Sequence, residues 1–216
     1  MLLVALALAQ LVLPGIAAER MREEIGRYGT VRSASVSAFP AIELLWRHGQ
    51  SASATAGSLA MSVAQASALL WKARGIERID LHAGTLHFGP ITMQAASMRK
   101  RGDRLLASGN VTEADLRAMI PSSTGVRILG NTAGGIAIRV SGSAFGPTPS
   151  IEVLLAAHEG ELVAQPQGIP FAGGLGVTII ADPHIHVQSL SLADPASASS
   201  AAGPASYRLA LTATLR

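Results

Sequence analysis

The chain has no cysteine, few charged residues and few aromatic residues. Of its 216 residues, 14% are Asp, Glu, Lys or Arg and 4% are Phe, Trp or Tyr. The absence of cysteine excludes a disulfide scaffold. The low charge and the hydrophobic content of 49% exclude disorder for most of the chain, because disordered segments combine low hydrophobicity with high net charge. The sequence therefore predicts a folded chain of one domain or slightly more.

One long apolar run is present, at residues 1–18 (MLLVALALAQLVLPGIAA). A membrane-spanning helix needs about 20 apolar residues, so a protein that crosses the membrane many times is not expected. The run predicts a secretory signal peptide or an N-terminal membrane anchor, followed by a single domain over 19–216. A buried core helix is the alternative. Pro14-Gly15 disfavours it, because proline breaks the interior of a helix.

The hydrophobic pattern predicts few helices and many strands. Amphipathic spacing predicts a helix over 16–28, and the capping box at 62–65 (SVAQ) predicts the start of another. From Ile76 onward the hydrophobic period is two, which predicts a series of antiparallel strands with one short helix opening at Thr112. Early helices followed by a long run of strands favour an α+β fold over a doubly wound sheet.

The predicted strands share a small, uncharged second face. Ser, Ala, Gly and Thr stand there instead of Lys or Glu, which allows strong curvature and leaves room for another element or a ligand. A low-complexity loop is predicted over 194–206, and a short helix over 41–48. Strands are predicted at 30–38, 51–59, 126–129, 135–142, 150–157, 161–165, 177–181, 184–192 and 207–215, and within 76–109.

Motifs of enzyme catalysis are absent from the sequence. It contains no G-x-S-x-G nucleophile elbow and no P-loop, and the His-Glu pair at 158–159 lacks the second histidine of a zinc protease. His184 and His186 fall on one side of a predicted strand, with Asp182 nearby. A catalytic zinc needs three protein ligands, so a half-exposed strand is the favoured interpretation. No catalytic residue, metal or cofactor is predicted.

One basic cluster lies at a predicted hairpin turn and comprises Arg99, Lys100, Arg101 and Arg104. Nucleic acid is not the expected partner, because its binding usually needs a broad basic patch with aromatic or groove-entering elements. The formal net charge is only +3. An anionic lipid headgroup or a membrane surface fits the cluster better, and a solvated hairpin tip is the alternative.

Five short segments, none of them catalytic, occur in a fixed order between residues 13 and 192. They are 13–17 (LPGIA), 28–33 (YGTVRS), 36–41 (VSAFPA), 109–116 (GNVTEADL) and 162–166 (LVAQP). Their order and spacing resemble the LmeA-like phospholipid-binding proteins of the actinobacterial cell envelope. The most specific piece is the V-T-x-A-D-L sequence within the fourth segment, which opens a short helix.

The resemblance implies a phospholipid-binding protein that is exported or membrane-anchored. It would lie at the outer face of the cytoplasmic membrane or in a periplasm-like space of the cell envelope. It implies a strongly curved, mostly antiparallel sheet wrapped around helical material, elongated and with an apolar groove. A lipid groove needs a dry lining with few polar anchors. Headgroup phosphate is then expected at the basic cluster, and core or interfacial packing is the alternative for both tryptophans. The groove candidates, chosen by residue type, are Leu45, Trp46, Leu70, Trp71 and Phe88.

Two other functions remain open on the sequence. A structural protein of the envelope would have the same fold, with a core filled by its own side chains. An enzyme acting on lipid-linked glycans would need a carboxylate pair in a cleft, for example Asp80 or Glu77 with Glu161.

Overall fold

The structure is a computed structural model that describes residues 2–37, 49–89, 91–118, 123–142, 150–168, 176–193 and 206–216. Strands dominate these residues and helices are few, which confirms the α+β prediction. The elements are α1 (Leu2–Gly26), β1 (Gly29–Ser37), β2 (Gly49–Met61), α2 (Val63–Lys72), β3 (Ile76–Phe88), β4 (Ile91–Arg101), β5 (Arg104–Thr112), α3 (Glu113–Ala118), β6 (Ser123–Thr132), β7 (Gly135–Gly142), β8 (Ser150–His158), β9 (Glu161–Gln167), β10 (Val177–Ile180), β11 (Ile185–Ala193) and β12 (Ser206–Leu215).

The strands form two sheets, whereas the family resemblance implied a single sheet. Sheet A has the order β1-β2-β3-β4-β5-β12-β11, and sheet B has the order β10-β9-β8-β7-β6. Neighbouring strands are antiparallel except β2 and β3, which are parallel and joined through α2. This crossover follows from the parallel pairing, because a parallel pair needs a long connection and cannot be closed by a hairpin.

The prediction that Pro14-Gly15 breaks the first helix is wrong. α1 runs through Pro14 without interruption. Proline removes one backbone hydrogen bond, but packing of an amphipathic face supplies most of a helix's stability in a protein. Ile25 of the same helix packs against the buried core cluster that includes Leu59. The predicted helix over 41–48 lies outside the described residues, as does the predicted loop over 194–206 except its last residue.

The two faces of sheet A differ in chemistry, as β2 shows. Ala52, Ala54 and Ala56 are each 2% exposed and point to the face that we call the inner face. Ser53, between them, points to the outer face, where its Oγ lies 2.7 Å from that of Ser35. Strand residues alternate in direction, so one strand presents methyl groups inward and hydroxyl groups outward.

Sheet B covers only part of the inner face. Val111 on β5 and Val187 on β11 share a core cluster with Ile136 and Ile138 of β7. Glu113 of α3 adds polar links between the sheets, because its Oε1 accepts hydrogen bonds from the Ile128 amide and the Tyr207 hydroxyl, each at 3.2 Å. The β2–β4 part of the inner face faces α1 and α2 instead, and the candidate site lies there.

Candidate functional site

An open pocket with a volume of about 560 Å³, which we call the groove, lies between α1, α2 and the inner face of sheet A. Apolar side chains from α1, α2 and β1–β4 supply most of its lining. Its size falls within the range of about 300–1,000 Å³ that is typical of sites for small organic ligands.

One stripe of α1 forms a wall of the groove. Leu13, Ile16, Ala17 and Met21 line it, and Ile25 follows one turn later. Spacings of three and four place these residues on one side of the helix. The stripe overlaps the apolar face predicted for residues 16–28, and Leu13 extends it to the other side of Pro14.

The opposite wall comes from α2, whose start is fixed as predicted. Ser62 caps the helix, and its Oγ accepts a hydrogen bond from the Gln65 amide while the Gln65 side chain accepts one from the Ser62 amide. Ala66, Leu69 and Leu70 then face the groove. Leu70 was a groove candidate on the sequence, and it also packs on the inner face of sheet A with Leu105, Ala213 and Leu215.

Small side chains make the space in the groove. Ala52 of β2 lies in its floor with Ile79 and Leu81 of β3, and Ala17 and Ala66 lie in its walls. Protein interiors are normally close-packed, with few voids larger than a water molecule. A longer side chain at any of the three alanines would occupy part of the volume.

Three charged residues interrupt the apolar lining, namely Arg20, Glu24 and Lys72. The Lys72 ammonium hydrogen-bonds Glu24 Oε1 at 2.5 Å and so joins α2 to α1. This hydrogen bond lowers the pKa of Glu24, and burial opposes the shift. Arg20 has no hydrogen bond or ion pair with another described residue, so its guanidinium can take an anion.

Two of the other groove candidates, Trp71 and Phe88, are not among the described residues that line this groove. Leu45 and Trp46 lie outside the described residues. Trp71 is 37% exposed; its ring stacks on His184 at a centroid distance of 4.3 Å, and the Arg74 guanidinium carbon lies 4.3 Å from the indole centroid. Phe88 lies at the end of β3, where it pairs with Ile91. Packing was the alternative prediction for the tryptophans, and it describes the contacts of Trp71.

The basic cluster is divided between the two faces of sheet A. Arg99 and Arg101 are exposed on the outer face beside Asp80, which Arg101 contacts through two hydrogen bonds of 3.0 and 3.1 Å. Arg104 is also exposed, opposite Arg101 in the register. As predicted, a hairpin turn lies between β4 and β5, with Gly102 at a φ of +57°.

Lys100 departs from the predicted headgroup role. Its side chain points to the inner face, opposite to those of Arg99 and Arg101, and the residue is 1% exposed. Its ammonium donates hydrogen bonds to the carbonyl oxygens of Arg74 and Ile76, at the turn after α2. Burial lowers the pKa of Lys100, and the charges of Asp103 and Glu77 oppose the shift. The side chain is committed to this turn and does not face a headgroup at the surface.

The remaining polar candidates have separate surroundings. Within the described ranges, no group of three or more His, Asp or Glu residues is placed to hold a metal ion. His184 stacks on Trp71, whereas His186 lies beside Gly160. Among the described residues, no hydrogen bond or ion pair joins Glu161 to Asp80 or Glu77. Glu161 accepts a hydrogen bond from Thr178 instead.

No family model, curated protein or solved structure matches this chain. Over the residues that the structure describes, no helix has both the length and the apolar character needed to cross a membrane.

Proposed function

We propose that this protein binds a phospholipid, with the acyl chains in the groove between α1, α2 and sheet A. In this proposal it is an LmeA-like protein of a bacterial cell envelope, exported or membrane-anchored, that binds or shuttles lipid. The observation that carries the proposal is the apolar volume of about 560 Å³. A dry, mostly apolar cleft with a few polar groups is what an amphiphile requires.

The charges at the groove favour an amphiphile with an anionic head over a neutral apolar ligand. Arg20 has no partner among the described residues, and Lys72 is bound to a single carboxylate. A phosphate accepts charge-assisted hydrogen bonds from guanidinium and ammonium groups. We therefore assign the headgroup of the bound lipid to Arg20 and Lys72. The outer-face arginines predicted for that role lie on the other side of sheet A.

The competing function is a structural protein with a self-filled core. The alanines in the floor and both walls of the groove disfavour a self-filled core, because a core selected for packing alone would place larger side chains around such a volume. The two functions differ in what the purified protein carries, so they can be separated by one experiment.

The experiment compares Ala66→Trp with Ala68→Trp. Ala66 faces the groove and Ala68 is exposed on α2, so the two variants carry the same residue on the same helix. Each protein is incubated with phosphatidylglycerol vesicles, re-isolated and examined by native mass spectrometry, and extracted phosphorus is measured. We expect a bound phospholipid in the wild type and in Ala68→Trp, and at least a tenfold lower occupancy in Ala66→Trp.

Thermal unfolding of both variants checks that the loss of lipid is not a loss of fold. A wild-type protein that carries no phospholipid after this treatment would overturn the proposal and favour the self-filled core. Equal occupancy in the two variants would move the lipid to another site and overturn the assignment to this groove.

A further inference from the structure

The outer face of sheet A carries a row of arginines at one end. Arg78 on β3 lies opposite Arg101 on β4, and Arg101 lies opposite Arg104 on β5. All three are exposed. Like charges directly opposite each other destabilise a sheet. The fold therefore bears an electrostatic cost at this row, which a bound anion would relieve.

The next row adds a fourth arginine and one aspartate. Arg99 lies opposite Asp80 on one side and Leu106 on the other. Four arginines and one aspartate leave an excess of three positive charges. Two further carboxylates are near: Glu77 alternates to the other side of β3, and Asp103 lies in the hairpin turn.

The arginines differ in how firmly they are held. Arg101 donates to Asp80 and to the carbonyl oxygens of Ile79 and Lys100. Arg99 makes a longer contact, with 3.7 Å between its Nε and Asp80 Oδ1, and its side chain is 61% exposed. Arg104 has no hydrogen-bond or ion-pair partner among the described residues. Arg99 and Arg104 can therefore turn to a ligand without breaking a buried contact.

An exposed apolar residue lies inside this charged patch. Leu106 is 49% exposed and is the register neighbour of Arg99. An exposed leucine among arginines fits a surface that is anionic outside and apolar just beneath, because cations then meet phosphates while the leucine enters the boundary with the acyl chains. A soluble polyanion offers no such apolar layer.

We propose that the outer-face patch formed by Arg78, Arg99, Arg101, Arg104 and Leu106 docks this protein onto an anionic phospholipid bilayer. The choice of a bilayer over a soluble polyanion rests on the proposed function. The positive charge of the patch is an observation that is independent of that function. Hydroxyl groups continue the arginine row across β2 and β1, where Ser51 pairs with Arg78 and with Ser37. The patch and the groove lie on opposite faces of sheet A, so each can be changed without the other.

The test compares two double variants. The patch variant combines Arg99→Gln with Arg104→Gln, and the control variant combines Arg127→Gln with Arg139→Gln. The control residues are an exposed cross-strand pair in sheet B, so both double variants lose two positive charges. Co-sedimentation is measured with phosphatidylcholine vesicles that contain or lack phosphatidylglycerol. An arginine near an anionic surface contributes about 1 kcal/mol, or about fivefold in binding. We expect binding to anionic vesicles to fall about 25-fold in the patch variant and less than about threefold in the control.

Three outcomes would overturn the docking proposal. They are equal binding of the wild type to both kinds of vesicle, an equal loss in the two double variants, and binding to inorganic polyphosphate without binding to anionic vesicles. Groove occupancy by native mass spectrometry separates this proposal from the proposed function. The patch variant is expected to keep its bound lipid once loaded, and Ala66→Trp is expected to keep its vesicle binding. A wild type that sediments with anionic vesicles but carries no lipid would refute the groove proposal alone.

Discussion

Glu24 of α1 and Lys72 of α2 form an ion pair between the two helices that wall the groove, with 2.5 Å between Glu24 Oε1 and Lys72 Nζ. It is the only ion pair between α1 and α2 among the described residues. The two side chains are 29% and 61% exposed. Exposed pairs contribute little to global stability, so the pair matters more for the separation of the helices than for the stability of the fold.

Glu24→Gln is expected to speed the release of lipid while leaving the melting temperature nearly unchanged. The hydrogen bond from Lys72 lowers the pKa of Glu24 below its ordinary value of 4.5. A lowered carboxyl pKa means that the stabilisation is present above the unfolded pKa and is lost as the pH falls through the folded one. Stopped-flow release of a fluorescent phospholipid should therefore accelerate below about pH 4.5 in the wild type. Glu23→Gln should retain that acceleration, and Glu24→Gln should lack it.

Lys100→Met is expected to destabilise the protein by about 2–3 kcal/mol. The ammonium donates to the Arg74 and Ile76 carbonyl oxygens, and hydrogen bonds from a charged group contribute about 1.5–3 kcal/mol. Methionine keeps a buried apolar side chain of similar length, but the two carbonyl oxygens lose the ammonium as their hydrogen-bond donor. Urea unfolding measures the change, and Arg99→Met, exposed in the same strand, should stay within about 0.5 kcal/mol of the wild type. A Lys100→Met variant as stable as the wild type would show that the lysine's desolvation offsets its hydrogen bonds.

Local patterns in the sequence predicted much of the fold. The capping box at Ser62, the serine–alanine alternation of β2 and the strand over Gly135–Gly142 each depend on residues close together in the chain. Their geometry follows from helix capping and from the two-residue period of a strand. The division into two sheets depends on which strands pair across long separations, and local periodicity does not contain that information.

The candidate site was harder to predict because it depends on the direction in which each side chain points as well as on the residue type. Leu70 and Trp71 are neighbours on one helix, so only one of them can face the groove, and hydrophobicity alone gave no preference. A strand period through Met98 and Lys100 would have placed Lys100 on the inner face. The composition of the basic cluster hid this signal, because four cations near a turn are typical of a solvated tip.

Tyr207→Phe is expected to be less destabilising at alkaline pH than at neutral pH. Burial, with the charge and hydrogen bond of Glu113, raises the pKa of Tyr207 above its ordinary value of 10.0. Above pH 10 the unfolded chain then loses the proton more readily than the folded one, so the wild type loses stability as the pH rises towards the folded pKa. Near pH 7 the lost hydrogen bond should cost the variant about 1 kcal/mol. Urea unfolding at pH 7 and at pH 10–11 measures both effects. If the stability difference between the two proteins is the same at both values, Tyr207 does not titrate in this way.

The contact between Ser67 and Asp182 is expected to hold α2 at the position where it forms the groove wall. Ser67 is 3% exposed, and its Oγ donates to Asp182 Oδ1 at 2.6 Å. Ser67→Ala should lower the free energy of unfolding by about 2 kcal/mol, because the partly buried carboxylate of Asp182 loses a hydrogen-bond donor. Ser189→Ala, at an exposed serine, should change it by less than about 0.5 kcal/mol. A double-mutant cycle with Asp182→Ala should give a coupling of at least about 0.5 kcal/mol. Ser67→Ala should also weaken phosphatidylglycerol binding, since the wall moves with α2; additive unfolding energies with unchanged lipid binding would contradict this role.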